Sequence, residues 1–293
     1  MKKLLLVMNP YAGLKKANKV LPEILTVFNQ AGYENLVYMT QRQGNGTEIV
    51  LERGKDVDLV VCVGGDGTFN EVLAGVMNAG LECPVGYIPA GSTNDFANSL
   101  GLPTDPVKSA KVIVEGTPQA YDVGSFGGRY FSYVASFGVF TKASYTTAQS
   151  VKNVLGHLAY VLEGIKELSQ IKSSHLKFEL EEEVFEGDYI FGAISNSTSV
   201  GGVLTLSKDL VDLADGKFEL LLVRAPKNAG ELSDCVVRLL QQKYDSPMLT
   251  LRAASKVHIT APQDMTWTLD GEMEPGHDQV LVENHHLAFT LMK

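Results

Sequence analysis

The stretch Val63-Gly64-Gly65-Asp66-Gly67-Thr68-Phe69-Asn70-Glu71 is where this sequence is best equipped for chemistry. Its three glycines would let a main chain approach a phosphate with no side chain in the way. It follows a buried apolar run and opens a helical one, the place where a phosphate meets backbone N–H groups and the positive end of a helix dipole. Asp66 adds a carboxylate, the donor a hard cation such as Mg2+ prefers. The same residues also read as a tight strand-to-helix turn capped by Thr68. Asp270-Gly271-Glu272 offers two carboxylates around a glycine and reads equally as an Asp-Gly hairpin turn. Asp215-Gly216 carries the same ambiguity.

These residues need a scaffold, and the hydrophobic pattern predicts one. Strand-like runs at Lys3–Met8, Leu36–Thr40, Asp58–Val63 and Pro84–Ile88 alternate with helical patterns at Leu14–Ala31, Thr47–Arg53, Thr68–Asn78, Asp95–Leu100 and Pro106–Glu115. Alternation of this kind predicts a parallel sheet with crossover helices. After about Tyr121 strands dominate: Tyr130–Ser136, Ser174–Glu181, Tyr189–Asn196, Lys217–Val223, Lys256–Ile259, Thr266–Leu269, Val280–Val282 and Ala288–Leu291, interrupted by helical patterns at Val151–Gln170 and Ala229–Gln242. The expectation is an α/β N-terminal domain with a Rossmann-like sheet, followed by a mostly antiparallel β-sandwich domain. Residues 1–126, with the last strand at about 284–293, would form the first, and residues 127–283 the second. No linker separates them, so a ligand is expected in the cleft between.

Composition narrows the function. Lys and Arg number 25 against 34 Asp and Glu, a net charge of −9, which disfavours nucleic acid as partner because phosphate neutralisation needs a dense basic face. Three widely spaced cysteines (Cys62, Cys83, Cys235) give neither a disulfide framework nor a zinc site. The opening apolar run stops at Asn9-Pro10, too short for a signal core, and no segment approaches the ~20 apolar residues of a membrane span. The reading is a cytoplasmic protein.

Further motifs in the same order resemble the diacylglycerol kinase catalytic domain, the superfamily of diacylglycerol, sphingosine and related lipid kinases. Asn9-Pro10-Tyr11-Ala12-Gly13 resembles its Asn-Pro-x-x-Gly turn, and Pro89-Ala90-Gly91-Ser92-Thr93-Asn94-Asp95-Phe96-Ala97 its Pro-x-Gly-Thr-x-Asn-Asp-Phe-Ala element. Tyr121-Asp122-Val123-Gly124, Asp215-Gly216-Lys217-Phe218 and Leu269-Asp270-Gly271-Glu272 match three more, so the resemblance covers nearly the whole chain. Ala12 stands where a serine is common, Ser92 where threonine is usual, and Asp209-Leu210-Val211 where the family tends to show Pro-x-Ala.

The resemblance implies ATP and Mg2+. It assigns the nucleotide to Asn9, Pro10, Gly13, Thr40, Gly64, Gly65, Asp66, Gly67, Thr68, Asn70, Ser92, Asn94 and Asp95, in a chain with no Walker Gly-x-x-x-x-Gly-Lys-Ser/Thr loop. Asp66, Asp95 and Asp122 would join a carboxylate–water–Mg2+ network, and Asp212, Asp215 and the main-chain oxygen of Lys217 would hold a second, structural Mg2+. Glu272 is the implied general base, with Asp270 orienting it or binding metal. The function expected is phosphorylation of a lipid hydroxyl, diacylglycerol first, by a protein transiently peripheral to the membrane and able to pair as a homodimer. A soluble kinase acting on NAD and a non-catalytic nucleotide-binding regulator are the alternatives.

Other features read as structural: a solvated turn at Glu181-Glu182-Glu183, surface positions for His277, His285 and His286, a core position for Trp267, and a core stripe of Val154, Leu158, Val161, Leu162, Ile165 and Leu168.

Overall fold

The structure, a computed structural model, describes residues 1–13, 16–138, 172–200 and 204–293. They divide into two compact units, Met1–Val123 with His286–Lys293, and Gly124–His285. The stripe expected between Val154 and Leu168 lies outside the described residues.

The first unit is built on β1 (Lys2–Met8), β2 (Tyr33–Met39), β3 (Leu59–Gly64) and β4 (Val85–Pro89), parallel and ordered β2-β1-β3-β4. All six residues of β3 are buried, as a strand covered on both faces requires. The helices are α1 (Lys16–Lys19), α2 (Leu21–Gln30), α3 (Asn45–Arg53), α4 (Asp66–Ala79), α5 (Asp95–Leu100) and α6 (Pro106–Glu115). One core packs Leu4, Leu6, Val61 and Val63 against Ile24, Phe28 and Ile113. An aromatic group sits under the Gly-Gly-Asp-Gly turn, where the Phe69 ring stacks on Tyr87 at 4.4 Å and on Phe96 at 5.1 Å. Phe289, near the C-terminus, packs edge-on to Phe69.

The helix expected over Leu14–Ala31 is interrupted at Val20. Pro22 explains the break: it has no N–H to donate and is tolerated only in a first turn, so it starts α2 instead of continuing α1. The predicted α5 and α6 are found with the same bounds.

The second unit is antiparallel and rich in strands. β5 (Pro118–Phe126) leads into it from the first unit and turns into β6 (Arg129–Phe131). There follow β7 (Val134–Gly138), β8 (Ser174–Glu179), β9 (Val184–Ser195), β10 (Ser199–Val200), β11 (Leu204–Thr205), β12 (Phe218–Arg224), α7 (Ala229–Leu240), β13 (Leu249–Ala254), β14 (Lys256–Thr260), β15 (Trp267–Leu269) and β16 (Glu272–Glu274). β9 is the long central strand, paired with β7, β8 and β12. β17 (Gln279–Met292) pairs with β14 and then runs on into the first unit, merging two strands expected separately. The core gathers Phe131, Phe137, Phe178 and Phe218 around Trp267, which is buried as expected. The fold class is therefore the expected one, a parallel α/β unit followed by an antiparallel β-rich unit.

The strand expected over Tyr130–Ser136 is two strands, β6 and β7, because the N–H groups of Ser132, Tyr133 and Val134 leave the ladder to donate to the carboxylate of Asp270. Among the described residues no helix is long and apolar enough to cross a membrane.

Phe69 makes the aromatic group cooperative. Phe69→Ala should cost about 3–5 kcal/mol, the range for deleting a buried phenyl ring, read as a lower urea midpoint with unchanged far-UV circular dichroism in buffer.

Candidate active site

In the first unit β2 lies on one side of β1 and β3 on the other, so the direction of winding reverses between β1 and β3. Open α/β sheets bind ligands beyond the carboxyl ends of strands at such a point. The turns leaving β1, β3 and β4 there carry the three motifs. Asn9 accepts from Tyr11 N at 2.9 Å through its side-chain oxygen and donates from its amide to Thr68 Oγ1 at 3.2 Å, which ties the β1 turn to the start of α4. The N-cap of α4 is Gly65, so Thr68 does not cap the helix, as the turn reading supposed; its hydroxyl receives Asn9 instead. Thr40, at the end of β2, is buried and held by its N–H to Met8 O.

The β3 and β4 turns touch through backbone. A Cβ on Gly91 would sit 2.5 Å from Gly65 Cα, and one on Gly65 would sit 3.1 Å from Gly91 Cα. Gly13, at φ +51°, has Ala90 O against the space a side chain would need. The motif glycines therefore let the three turns approach one another through backbone, and Ser92, next to Gly91, is exposed. Asn70 lies buried in the first turn of α4 with its Oδ1 unpartnered among the described residues. Main-chain N–H groups at a helix start suit a nucleotide phosphate chain, whereas the Asn70 oxygen is an acceptor and suits a hydroxyl or a cation.

Asp66 is buried and does not point into solvent. Its carboxylate accepts from Asp95 N at 3.0 Å, Phe96 N at 3.2 Å and Thr93 Oγ1 at 3.3 Å, so it anchors the start of α5. Asn94 takes the left-handed conformation, φ +52°, and its amide group is taken up by Gly91 N and Gly91 O, which locks this turn. Glu71, not singled out by the sequence, accepts from Gly44 N and Gly46 N and so secures the loop after Thr40. Asp122 is fully buried and accepts from Leu287 N at 2.8 Å, with His286 Nδ1 at 3.1 Å. His286 is exposed as expected, whereas His285 is half-buried and meets Ser125 Oγ at 2.8 Å. Among the described residues no three His, Cys, Asp or Glu side chains gather closely enough to hold a metal directly. Asp66, Asp95 and Asp122 do not form a direct ligand set, because main-chain N–H groups claim the carboxylates of Asp66 and Asp122.

In the second unit Asp270 and Gly271, at φ +48° and +85°, form a two-residue hairpin turn between β15 and β16. Both readings of Asp-Gly-Glu thus meet in one element. The Asp270 carboxylate is buried, and each oxygen accepts twice: Ser132 N and Oγ on one, Tyr133 N and Val134 N on the other. Burial pushes its pKa up to about 6, and the four hydrogen bonds act against that rise. So occupied, the Asp270 carboxylate ties residues 132–134 to its hairpin. Glu272, the first residue of β16, is half-buried and ion-paired to Arg129 at 2.7 Å.

The loop expected to hold a second metal keeps Asp212 and Asp215 exposed, each turned onto its own loop, to Ala214 N and Lys217 N. The Lys217 carbonyl accepts from Asn284 Nδ2 at 3.0 Å. The sequence reading missed Glu219, buried on β12 with Oε2 unpartnered among the described residues. Burial, then the charge of Asp215, pushes its pKa up to about 8. Asp215 and Asp212 are close enough for their charge to act on Glu219, but the three acids do not gather into a metal site among the described residues. Only the alternation of Phe218-Glu219-Leu220 within an apolar strand could have flagged Glu219.

A parallel sheet with glycine turns at its switch point, joined in one chain to an antiparallel unit and lacking a Walker loop, goes with matches that place the chain among the lipid kinases. The diacylglycerol kinase catalytic domain profile matches residues 3–126. A diacylglycerol kinase of Bacillus subtilis (strain 168) is 31% identical over 298 residues, spanning 100% of this chain and 98% of that protein. One from Staphylococcus carnosus (strain TM300) is 32% identical, spanning 91% and 87%. A crystal structure of a diacylglycerol kinase from Bacillus anthracis str. Sterne has the same fold, TM-score 0.76 at 23% identity, covering 99% of this chain and 96% of that one. The chain belongs to the diacylglycerol kinase family.

Two tests follow from this geometry. Gly91→Ala should abolish ATP binding by calorimetry, because its methyl group has no room against Gly65. For Glu219, a folded-state pKa above the unfolded one means that stability falls as pH rises from about 4.5 toward about 8. Without divalent cations, Glu219→Gln should therefore raise the Tm by several degrees at pH 8 and not at pH 4.

Proposed function

We propose that this chain is an ATP- and Mg2+-dependent diacylglycerol kinase, moving the γ-phosphate of ATP to the free hydroxyl of diacylglycerol to give phosphatidic acid and ADP. The observation that carries the reading is the close backbone approach of the Gly65 and Gly91 turns at the switch point of the sheet, where no side chain larger than that of glycine has room. The phosphates would lie along Gly64, Gly65, Gly67 and Thr68, with Asn9, Pro10, Gly13, Thr40, Asn70 and Ser92 around them. Phosphoryl transfer asks for positioning and for charge stabilisation more than for covalent chemistry, and preorganised main-chain donors supply the first.

With no Walker lysine, Mg2+ when bound would offset charge on the phosphates; Asp66, Asp95 and Asp122 would reach it through water, and Asp212, Asp215 and the Lys217 carbonyl would take a structural ion. Glu272 would accept the proton of the acceptor hydroxyl as that oxygen attacks the γ-phosphorus. Asp270 fixes the hairpin that presents it. A diacylglycerol acceptor resides in a bilayer, so the enzyme would work from the cytoplasm, transiently at the membrane surface.

The test is transfer of labelled γ-phosphate from ATP to diacylglycerol in mixed micelles, with sphingosine, ceramide and NAD in parallel. Labelled phosphatidic acid from the native chain is the expected product, reduced by about 10²–10⁴-fold in Glu272→Gln with ATP binding intact. Label on NAD alone would replace the proposal with a soluble kinase. No transfer to any acceptor, with ATP still bound, would replace it with a nucleotide-binding regulator.

A further inference from the structure

We propose that Arg129 is the positioning residue of Glu272, fixing one carboxylate oxygen so that the other faces the acceptor hydroxyl; this rests on the reading of Glu272 as general base. The geometry lies within the second unit. Gly127 and Gly128, at φ +57° and +91°, turn β5 into β6, and Arg129 is the first residue after the turn. Its guanidinium spans two carboxylates of β16: Nη2 donates to Glu272 Oε2 at 2.7 Å and Nη1 to Glu274 Oε2 at 2.5 Å. Residues two apart on a strand share a face, so the fork of one arginine meets both. Glu274 is itself held, its Oε1 lying 3.3 Å from His277 Nε2. His277 rests edge-on against Phe126, the residue just before the glycine turn.

The remaining oxygen gives this arrangement its meaning. Glu272 Oε1 takes no hydrogen bond from any described residue, and the side chain keeps 24% of its surface open. A base tied at one oxygen and open at the other is aimed, since the carboxylate can no longer rotate freely about its terminal torsion. Glu274 serves as counter-anchor: with its own oxygens held by Arg129 and His277, it keeps the guanidinium from following Glu272 when that residue takes up a proton. Asp270 grips residues 132–134 from the same hairpin, so the turn and the fork hold the base from two sides. A lysine would keep the charge but not the rigid planar fork that sets both carboxylates in one geometry.

The experiment is steady-state kinetics of Arg129→Met, Arg129→Lys, Glu274→Gln and Glu272→Gln, on the acceptor that the native chain phosphorylates. Misplacing a catalytic group costs up to about 10²-fold, so kcat of Arg129→Met should fall about 10–100-fold, while the KM for ATP stays within about threefold. Arg129→Lys should recover part of that loss, and Glu274→Gln should show a smaller fall of the same kind. Should Arg129→Met fail to fold, Glu274→Gln and Arg129→Lys, which keep the cation, carry the comparison. Native kcat in all three variants with Glu272→Gln inactive would overturn the role of Arg129 and leave Glu272 as the base. Full activity in Glu272→Gln would overturn the base itself, and the role of Arg129 with it.

Discussion

A carboxylate removed from water must find hydrogen-bond donors, and in this protein the donors are main-chain N–H groups at places where the chain changes direction. Asp66 receives the first amides of α5, Asp122 receives Leu287 N, and Asp270 receives three consecutive amides of residues 132–134. The first amides of α5 have no partner within their own helix, and those of residues 132–134 leave the ladder, which is why β6 and β7 are separate strands. Burying a charge is costly unless it is well bonded. Once bonded, each of these acids pins a loop, and the loops carry the residues proposed for chemistry.

The glycines act on the same loops by the opposite means, through absence of bulk. Gly65 and Gly91 bring two turns into backbone contact, and Gly13 admits a third beside Ala90. The result is a surface whose donors are fixed by packing rather than supplied by a flexible cation. A nucleotide held there lacks the lysine that a Walker loop would provide, so its charge has to be met by metal or by groups from elsewhere in the chain. The acids at Asp212, Asp215 and Glu219 show the reverse situation, like charges that act on one another with an oxygen left unpartnered.

The hairpin at Asp270-Gly271 joins both themes. Its two residues take the left-handed conformations that a tight two-residue turn demands. The buried Asp270 then makes the turn a clamp, and Glu272 emerges beside it in the reach of Arg129. A local rule for turn chemistry and a tertiary rule for buried charge agree at one position, which gives the hairpin little freedom to slip in register.

Periodicity made the parallel sheet legible before any coordinates, because β3 is apolar throughout and its neighbours alternate with amphipathic helices. Local chemistry did the same for α5 and α6, whose starts and stops are written in Asp95, Pro106 and the glycines beyond them. Motif order was enough to point to the family. Pro22, which divides α1 from α2, is a local signal of the same kind. The partners of charged groups were not legible. Arg129 and Glu272 stand 143 positions apart, Asp270 and Ser132 are separated by 138, and Asp122 meets Leu287 across 165. Nothing in the neighbourhood of either residue announces such a pair. Short-range rules follow from sterics and hydrogen bonds within a few residues and can be read from the chain. Which donor a buried acid finds depends on where the whole fold brings the backbone, and only the tertiary structure decided that.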